Sequence, residues 1–273
     1  MSELEFVILG CGSSGGVPRI GGPDGSGNWG ACDPHNLKNR RTRCSALVRR
    51  KGEGGVTQVL IDTSPDMREQ LLAARVARLD GVLITHDHAD QLHGLDDLRA
   101  FFLNQKKRVD IYSDQDGLAG VRAKFEYCFT TPPGSDYPPI ANAHVIAETL
   151  RPFEIAGAGG VVPVQAFHQN HGRIRSLGFR IGPIAYSSDV DRLDEAAFAV
   201  LEGVDTWVVD ALRYTPHPSH AHVAKTLEWI SRVKPRHAVL TNLHVDLDYE
   251  TLKRELPKGV EPAYDGMVLS ASL

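Results

Sequence analysis

The sequence predicts two packed β-sheets covered on their outer faces by helices. Three observations lead there. Strand-length runs rich in β-branched residues recur along all 273 residues. Amphipathic helical patterns interleave them, and strands dominate early but alternate with helices later. That mix fits two sheets better than one parallel sheet.

The strand candidates come in order. EFVIL (5–9), CSALV (44–48), VTQVLID (56–62), GVLIT (81–85) and VDIYS (109–113) form the first group. VVPVQAF (161–167), LGFRIG (177–182), IAYSSD (184–189), TWVVDAL (206–212), HAVLTNL (237–243) and MVLSAS (267–272) form the second. Each is bounded by Gly, Pro, Asp or Asn. Helices are expected over Asp66–Arg78, with Met67, Leu71 and Ala74 on one face, and over Leu95–Gln105. Three more follow at Asp194–Leu201, at His222–Val233 with Val223, Leu227 and Ile230 in helical register, and at Asp248–Leu256, stopped by Pro257. The stretch 130–142 reads as a loop, and the whole chain, 1–273, as a single domain.

Hydrophobic residues make up 42% and the net charge is −4. A large core is therefore expected, and bulk coating of nucleic acid is not. No run approaches the roughly 18 apolar residues that span a membrane. The acidic start, MSELEFVILG, does not read as a signal peptide. Cys11, Cys32, Cys44 and Cys128 form no C-x-x-C pair, so a cytoplasmic protein with reduced thiols is expected.

The chemistry concentrates after strands. In THDHADQLHG (85–94), His86 and His88 alternate and so share a face of an extended segment, with Asp90 two residues on. Imidazoles and a carboxylate in that pattern suit zinc, iron or manganese. His168 and His171 both qualify as a further ligand, and His171, before Gly172 and a new strand, is favoured. Asp189 ends a strand and can bridge two ions. Asp210 ends another, ahead of His217, His220 and His222; a histidine there can protonate a leaving group if a carboxylate orients it. Asn242 and His244 follow a later strand. Gly10, Gly12 and Gly15 match a dinucleotide fingerprint, but no helix follows, so they are read as a tight loop with positive φ. Lys38, Arg40, Arg41 and Arg43 crowd one segment, where arginine forks can clamp a phosphate.

Taken together, THDHADQ, QNHG, SSD and TNLH resemble the metallo-β-lactamase superfamily, and that resemblance implies an αββα sandwich. GCGSSGGVP (10–18), NWGACDP (28–34), RRTRCS (40–45), HGLDDLR (93–99), SHAHVAKTL (219–227) and AYDGM (263–267) resemble its PhnP-like branch of cyclic phosphodiesterases. The resemblance implies that His86, His88 and His171 hold a first ion, that Asp189 bridges, and that Asp90 serves a second. It makes His220 the proton donor, with Asp210 as partner. Two positions depart from the pattern. Gln91 and Asn242 stand where imidazoles are expected, with His244 as a candidate substitute. The expectation is therefore two Zn2+ or Mn2+ ions, the second held more weakly. A small phosphorylated substrate such as phosphoribosyl 1,2-cyclic phosphate is expected, held by Arg40, Arg41 and Arg43. A homodimer is left open. The alternatives are a ribonuclease Z-like or thioester hydrolase on the same scaffold, or a binding relic without activity.

Overall fold

The computed structural model describes residues 3–273. Its strands and helices run, in chain order, β1 (Glu3–Gly10), β2 (Ser45–Gly52), β3 (Gly55–Ile61), α1 (Met67–Ala73), β4 (Gly81–Leu83), α2 (Ala89–Leu92), α3 (Arg99–Gln105), β5 (Val109–Ser113), α4 (Gln115–Phe125), β6 (Ala141–Val145) and β7 (Phe153–Ile155). They continue with β8 (Val162–His171), β9 (Ile174–Ile181), β10 (Ile184–Ser187), α5 (Glu195–Leu201), β11 (Thr206–Asp210), α6 (Val223–Val233), β12 (His237–Thr241), α7 (Tyr249–Glu255), β13 (Val260–Pro262) and β14 (Met267–Ser272).

Two sheets of seven strands result, ordered β14-β1-β2-β3-β4-β5-β6 and β13-β12-β11-β10-β9-β8-β7. Alternation explains how they pack. Leu4, Phe6 and Ile8 of β1 point into the layer between the sheets, where they meet Val164, Phe179 and Tyr186. The Phe6 and Tyr186 rings lie 5.7 Å apart. Val7 and Leu9 point the other way, into a second cluster with Met67, Leu71, Phe101 and Leu118 from α1, α3 and α4. Trp207, Val209 and Leu240 face Ala197, Val223 and Leu252 of α5, α6 and α7. Both faces of each sheet are buried, which is why the strands read as continuous apolar runs rather than alternating ones. The layers are helix, sheet, sheet, helix. No described helix is long and apolar enough to cross a membrane.

The expected helices are present, with Asp194 and Asp248 capping α5 and α7 through their side chains. Several boundaries moved. The helix at Asp66 closes at Ala73, and Arg75 then adopts a left-handed φ of 54°. Residues 95–98 form a 3-10 turn before α3 begins. The glycine loop is built for a different reason than expected. Gly10, Gly12 and Gly15 are not among the positive-φ residues; Gly16 is, at 65°. A Cβ on Gly10 would fall 2.1 Å from the Arg43 carbonyl, and one on Gly12 would fall 2.9 Å from those of Arg41 and Thr42. Close backbone approach, not left-handed geometry, selects glycine at 10 and 12.

Asp265, in the AYDGM stretch, ties three strands at this end. Its carboxylate accepts from Thr42 N (2.7 Å) and Thr42 Oγ1 (2.6 Å), and from Cys11 N (3.1 Å). Burial pushes its carboxyl up to about 6, against the pull of those Thr42 and Cys11 bonds. Removing it strands two backbone donors. Asp265→Ala is expected to cost about 2–4 kcal/mol, a drop of roughly 5–12 °C in Tm by calorimetry. The folded pKa lies above the ordinary 3.8. The group's stabilisation is thus full below that value and declines as pH rises through about 6. The gap between wild type and variant should narrow over that window.

Candidate metal centre

The site lies where strands end. β4, β8, β10, β11 and β12 all deliver residues to one edge of the sandwich, and β10, β11 and β12 run parallel, so their C-terminal ends coincide. Chain reversal there is abrupt. Asp62, Asp189 and Asn242 each follow a strand and each adopts a left-handed φ, of 64°, 52° and 63°. Asp and Asn tolerate that region better than other side-chain-bearing residues, and such strain gathers at functional sites.

His86, His88 and His171 converge. Their rings are 4.6 Å (86 to 88), 5.1 Å (86 to 171) and 5.1 Å (88 to 171) apart. The alternation expected of HDHAD holds: Asp87 turns away from the histidines and pairs with Lys124 at 2.5 Å. A second grouping joins His171 to Asp189 and His220, with one ligand atom of each within 4.8 Å of the others.

Outer contacts fix which nitrogen faces inward. Thr85 Oγ1 is 3.0 Å from His86 Nδ1 and 2.8 Å from Asp62 Oδ2. Burial pushes the Asp62 carboxyl well up while its Thr85 bonds pull it back; with the Thr85 proton assigned to Asp62, the hydroxyl oxygen receives His86 Nδ1–H. His86 Nε2 is then a bare lone pair, buried and without a partner. His171 Nδ1 donates to the Ser219 carbonyl at 2.7 Å, which leaves its Nε2 bare as well. That Nε2 lies 3.3 Å from His88 Nδ1. The His86, His88 and His171 nitrogens converge on one space, and outer-shell bonds such as those to Thr85 and the Ser219 carbonyl are how metal-ligating histidines are oriented. The residues present fit a divalent ion.

Electrostatics agree. Burial, then the neighbouring His171 and His88, push His86 well down; burial, then His171, do the same to His88. Both stay neutral, the ligating form. Burial raises the Asp90 carboxyl, and the Asp189 charge adds to it. His220 runs the opposite way. Burial disfavours its charge, but Asp210, then Asp189 and Asp90, outweigh that and lift it to about 9. Its Nδ1 donates to Asp210 Oδ2 at 2.9 Å, leaving Nε2 free.

Other expected residues fall elsewhere. His168 is bound to Asp114 at 3.2 Å, away from the histidine triad. His244 Nδ1 pairs with Asp246 at 3.0 Å and joins neither ligand group. Its backbone N–H is fixed on the Leu212 carbonyl, so the loop does not turn it inward. The arginine clamp is also corrected. Arg41 is 1% exposed, and its guanidinium holds the Leu247 carbonyl at 2.8 Å and Asn39 Oδ1 at 3.2 Å. Arg43 pairs with Asp66 at 2.8 Å. Both are structural. Arg40 is exposed.

Two arginines the motifs did not reveal act on histidines outside the triad, Arg19 on His244 and Arg213 on His217 and His244. Arg19 lies across Gly15, where a Cβ would come within 2.9 Å of its Nε, and that Nε is buried without a partner. Arg213 bonds to the carbonyls of Thr215 and Pro216. Burial, then the Arg19 charge and more weakly Arg213, lower His244. Burial, then His220 and Arg213, lower His217, whose ring is 5.0 Å from that of His220. Neither cation is spent on an ion pair with a carboxylate among the described residues. Asp62 was missed too, because only the fold shows that it anchors Thr85.

Residues 57–242 match the beta-lactamase superfamily domain. The chain belongs to that superfamily. Within it, a crystal structure described as a new diphosphatase from the PhnP family superposes with a TM-score of 0.86 at 30% identity, over 99% of this chain and 98% of the other. The Zn2+-bound PqqB of Methylobacterium extorquens shares the fold at TM-score 0.72 and 19% identity, covering 97% of this chain and 99% of that one. A curated relative from Porphyromonas gingivalis (strain ATCC BAA-308 / W83), named octanoyltransferase, is 31% identical over 267 residues, which is 97% of this chain. The chain spans only 51% of that protein's length. Superfamily membership together with the PhnP-family diphosphatase supports a metal-dependent hydrolase.

Thr85→Val removes the group that sets the His86 tautomer. It should weaken metal affinity about 10- to 100-fold in a chelator competition, while Thr85→Ser restores it.

Proposed function

We propose that the protein hydrolyses a small phosphodiester, with phosphoribosyl 1,2-cyclic phosphate as the first candidate. The observation that carries this is the convergence of the His86, His88 and His171 rings beside an Asp210-held His220. The PhnP-family diphosphatase supports phosphorus chemistry, and it makes a diphosphate the nearest rival substrate.

His86 Nε2, His88 Nδ1, His171 Nε2 and Asp189 would hold a zinc or manganese ion. Such an ion acidifies water and neutralises charge gathering on phosphoryl oxygens. Arg19 and Arg213 bind the phosphoryl group or its neighbour, in place of Arg40, Arg41 and Arg43. Hydrolysis adds the water oxygen to phosphorus and breaks one P–O ester bond. His220 gives its Nε2 proton to the departing sugar oxygen, which leaves as a hydroxyl. Asp210 holds the imidazole in place and stabilises its charged form before transfer.

Acyl-enzyme chemistry through a cysteine nucleophile finds no support. All four cysteines are buried. Burial raises Cys11, Cys32 and Cys44, and lifts Cys128 to about 11. Their unpaired state supports the cytoplasmic setting we propose.

The test is an assay of phosphoribosyl cyclic phosphate, 2′,3′-cyclic nucleotides, a bis-aryl phosphodiester and nucleoside diphosphates with metal-loaded protein. Turnover of a cyclic or aryl diester is expected; none with any substrate, with metal bound, defeats the proposal. His220→Ala should lower kcat by about 10²- to 10⁴-fold on the sugar ester, and much less on an aryl ester whose leaving group needs no proton. Arg19→Ala and Arg213→Ala should mainly raise KM, roughly 10-fold or more each, the loss of one charge-assisted bond.

A further inference from the structure

The centre contains two buried carboxamides where this superfamily's pattern leads one to expect imidazoles. Gln91 and Asn242 are 0% and 1% exposed. Gln91 Nε2 donates to Asp189 Oδ2 at 2.9 Å, and Asn242 Nδ2 reaches Asp189 Oδ1 at 3.4 Å. Asn242 Nδ2 also lies 3.1 Å from His220 Nδ1, whose proton points to Asp210, so two donors abut there and Gln91 makes the shorter and stronger of the two amide contacts. Each oxygen of Asp189 is thus met by an amide N–H, one from Gln91 in α2 and one from Asn242 just after β12.

A second ion would need the opposite arrangement. Both amides would have to turn over, which sets carboxamide oxygens against carboxylate oxygens at these same distances. His171 of the second grouping is already given to the triad, and His220 is tied to Asp210. The donor set left for that ion is poor: Asp90, a share of Asp189 and two neutral amide oxygens, which bind more weakly than imidazole. His244 does not fill the gap, being held by Asp246 at 3.0 Å. Gln91 Oε1 is buried and has no partner, so the side chain forgoes one bond while its amino group stays on Asp189.

We propose that the centre is mononuclear, with Gln91 and Asn242 forming an amide clamp that positions Asp189 where a second cation would otherwise do so. The two N–H donors supply part of the positive potential that a second ion would give to the carboxylate, and they fix its rotamer toward the histidine triad. Gln91 and Asn242 are positioning residues: they act through Asp189. This rests on the reading of His86, His88, His171 and Asp189 as a metal site, and departs from the two-ion expectation.

The experiment is metal counting on the whole chain, loaded with Zn2+ or Mn2+, desalted and measured by mass spectrometry, alongside EPR of the Mn2+ form. About one ion per chain and the six-line spectrum of an isolated Mn2+ are expected. The Gln91→His, Asn242→His double variant should move toward two ions and a spin-coupled spectrum. Gln91→Leu should leave the count unchanged but weaken the remaining ion about 10- to 100-fold, as loss of an outer-shell contact does. Two tightly held ions in the wild type, with spin coupling, overturn the clamp. No ion at all instead overturns the metal-site reading beneath it. Should the double variant fail to fold, the wild-type count and line shape decide the matter.

Discussion

A buried carboxylate at the end of β10 sets the terms for everything around it. Asp189 is almost fully enclosed, and burying an ionised carboxyl without compensation costs several kcal/mol. Burial raises its pKa, while His220 and His171 pull it back toward the charged form. Imidazoles on one side and amide donors on the other are arranged to offset that cost. The left-handed turns at Asp62, Asp189 and Asn242 make the arrangement possible, because they cut the strands short and swing the side chains into a common space.

The candidate ligands that the fold brings together, His86, His88, His171 and Asp189, stand in motifs visible in the sequence. A polar cluster directly after an apolar strand, with period-two spacing, marks His86 and His88 before any fold is known. The orientation of those ligands is not visible there. Thr85 sets one tautomer through Asp62, and a backbone carbonyl at Ser219 sets another. Neither contact has a motif, because one joins residues far apart in the chain and the other uses no side chain. The arginines show the same limit from the other direction. Arg41 and Arg43 formed a dense basic run that reads as a phosphate clamp, but the fold uses them to hold carbonyls and Asp66. Arg19, isolated in a glycine loop, drew no notice.

Most of the sandwich was readable because both faces of each sheet are buried and the runs are strongly apolar. What escaped lies at the margins. β6, β7 and β13 escaped notice: β6 and β7 are short and partly exposed, and β13 contains Pro262, tolerable where no ladder donor is needed. α4 was hidden by its glycines. A Cβ on Gly120 would fall 2.4 Å from the Asp87 carboxylate, so the residue that weakens the helical pattern is the one that lets the helix lie against the histidine loop.

The candidate ligands come from both halves of the sandwich: His86 and His88 follow β4 of one sheet, while His171 ends β8 and Asp189 follows β10 of the other. Any ion held there is a rivet across the central apolar layer. Its occupancy then feeds into the folding equilibrium by mass action, about 4 kcal/mol at a thousandfold excess over Kd. Metal starvation would thus do more than silence the chemistry; it would slacken the seam between the two leaves, beginning at the rim where they meet.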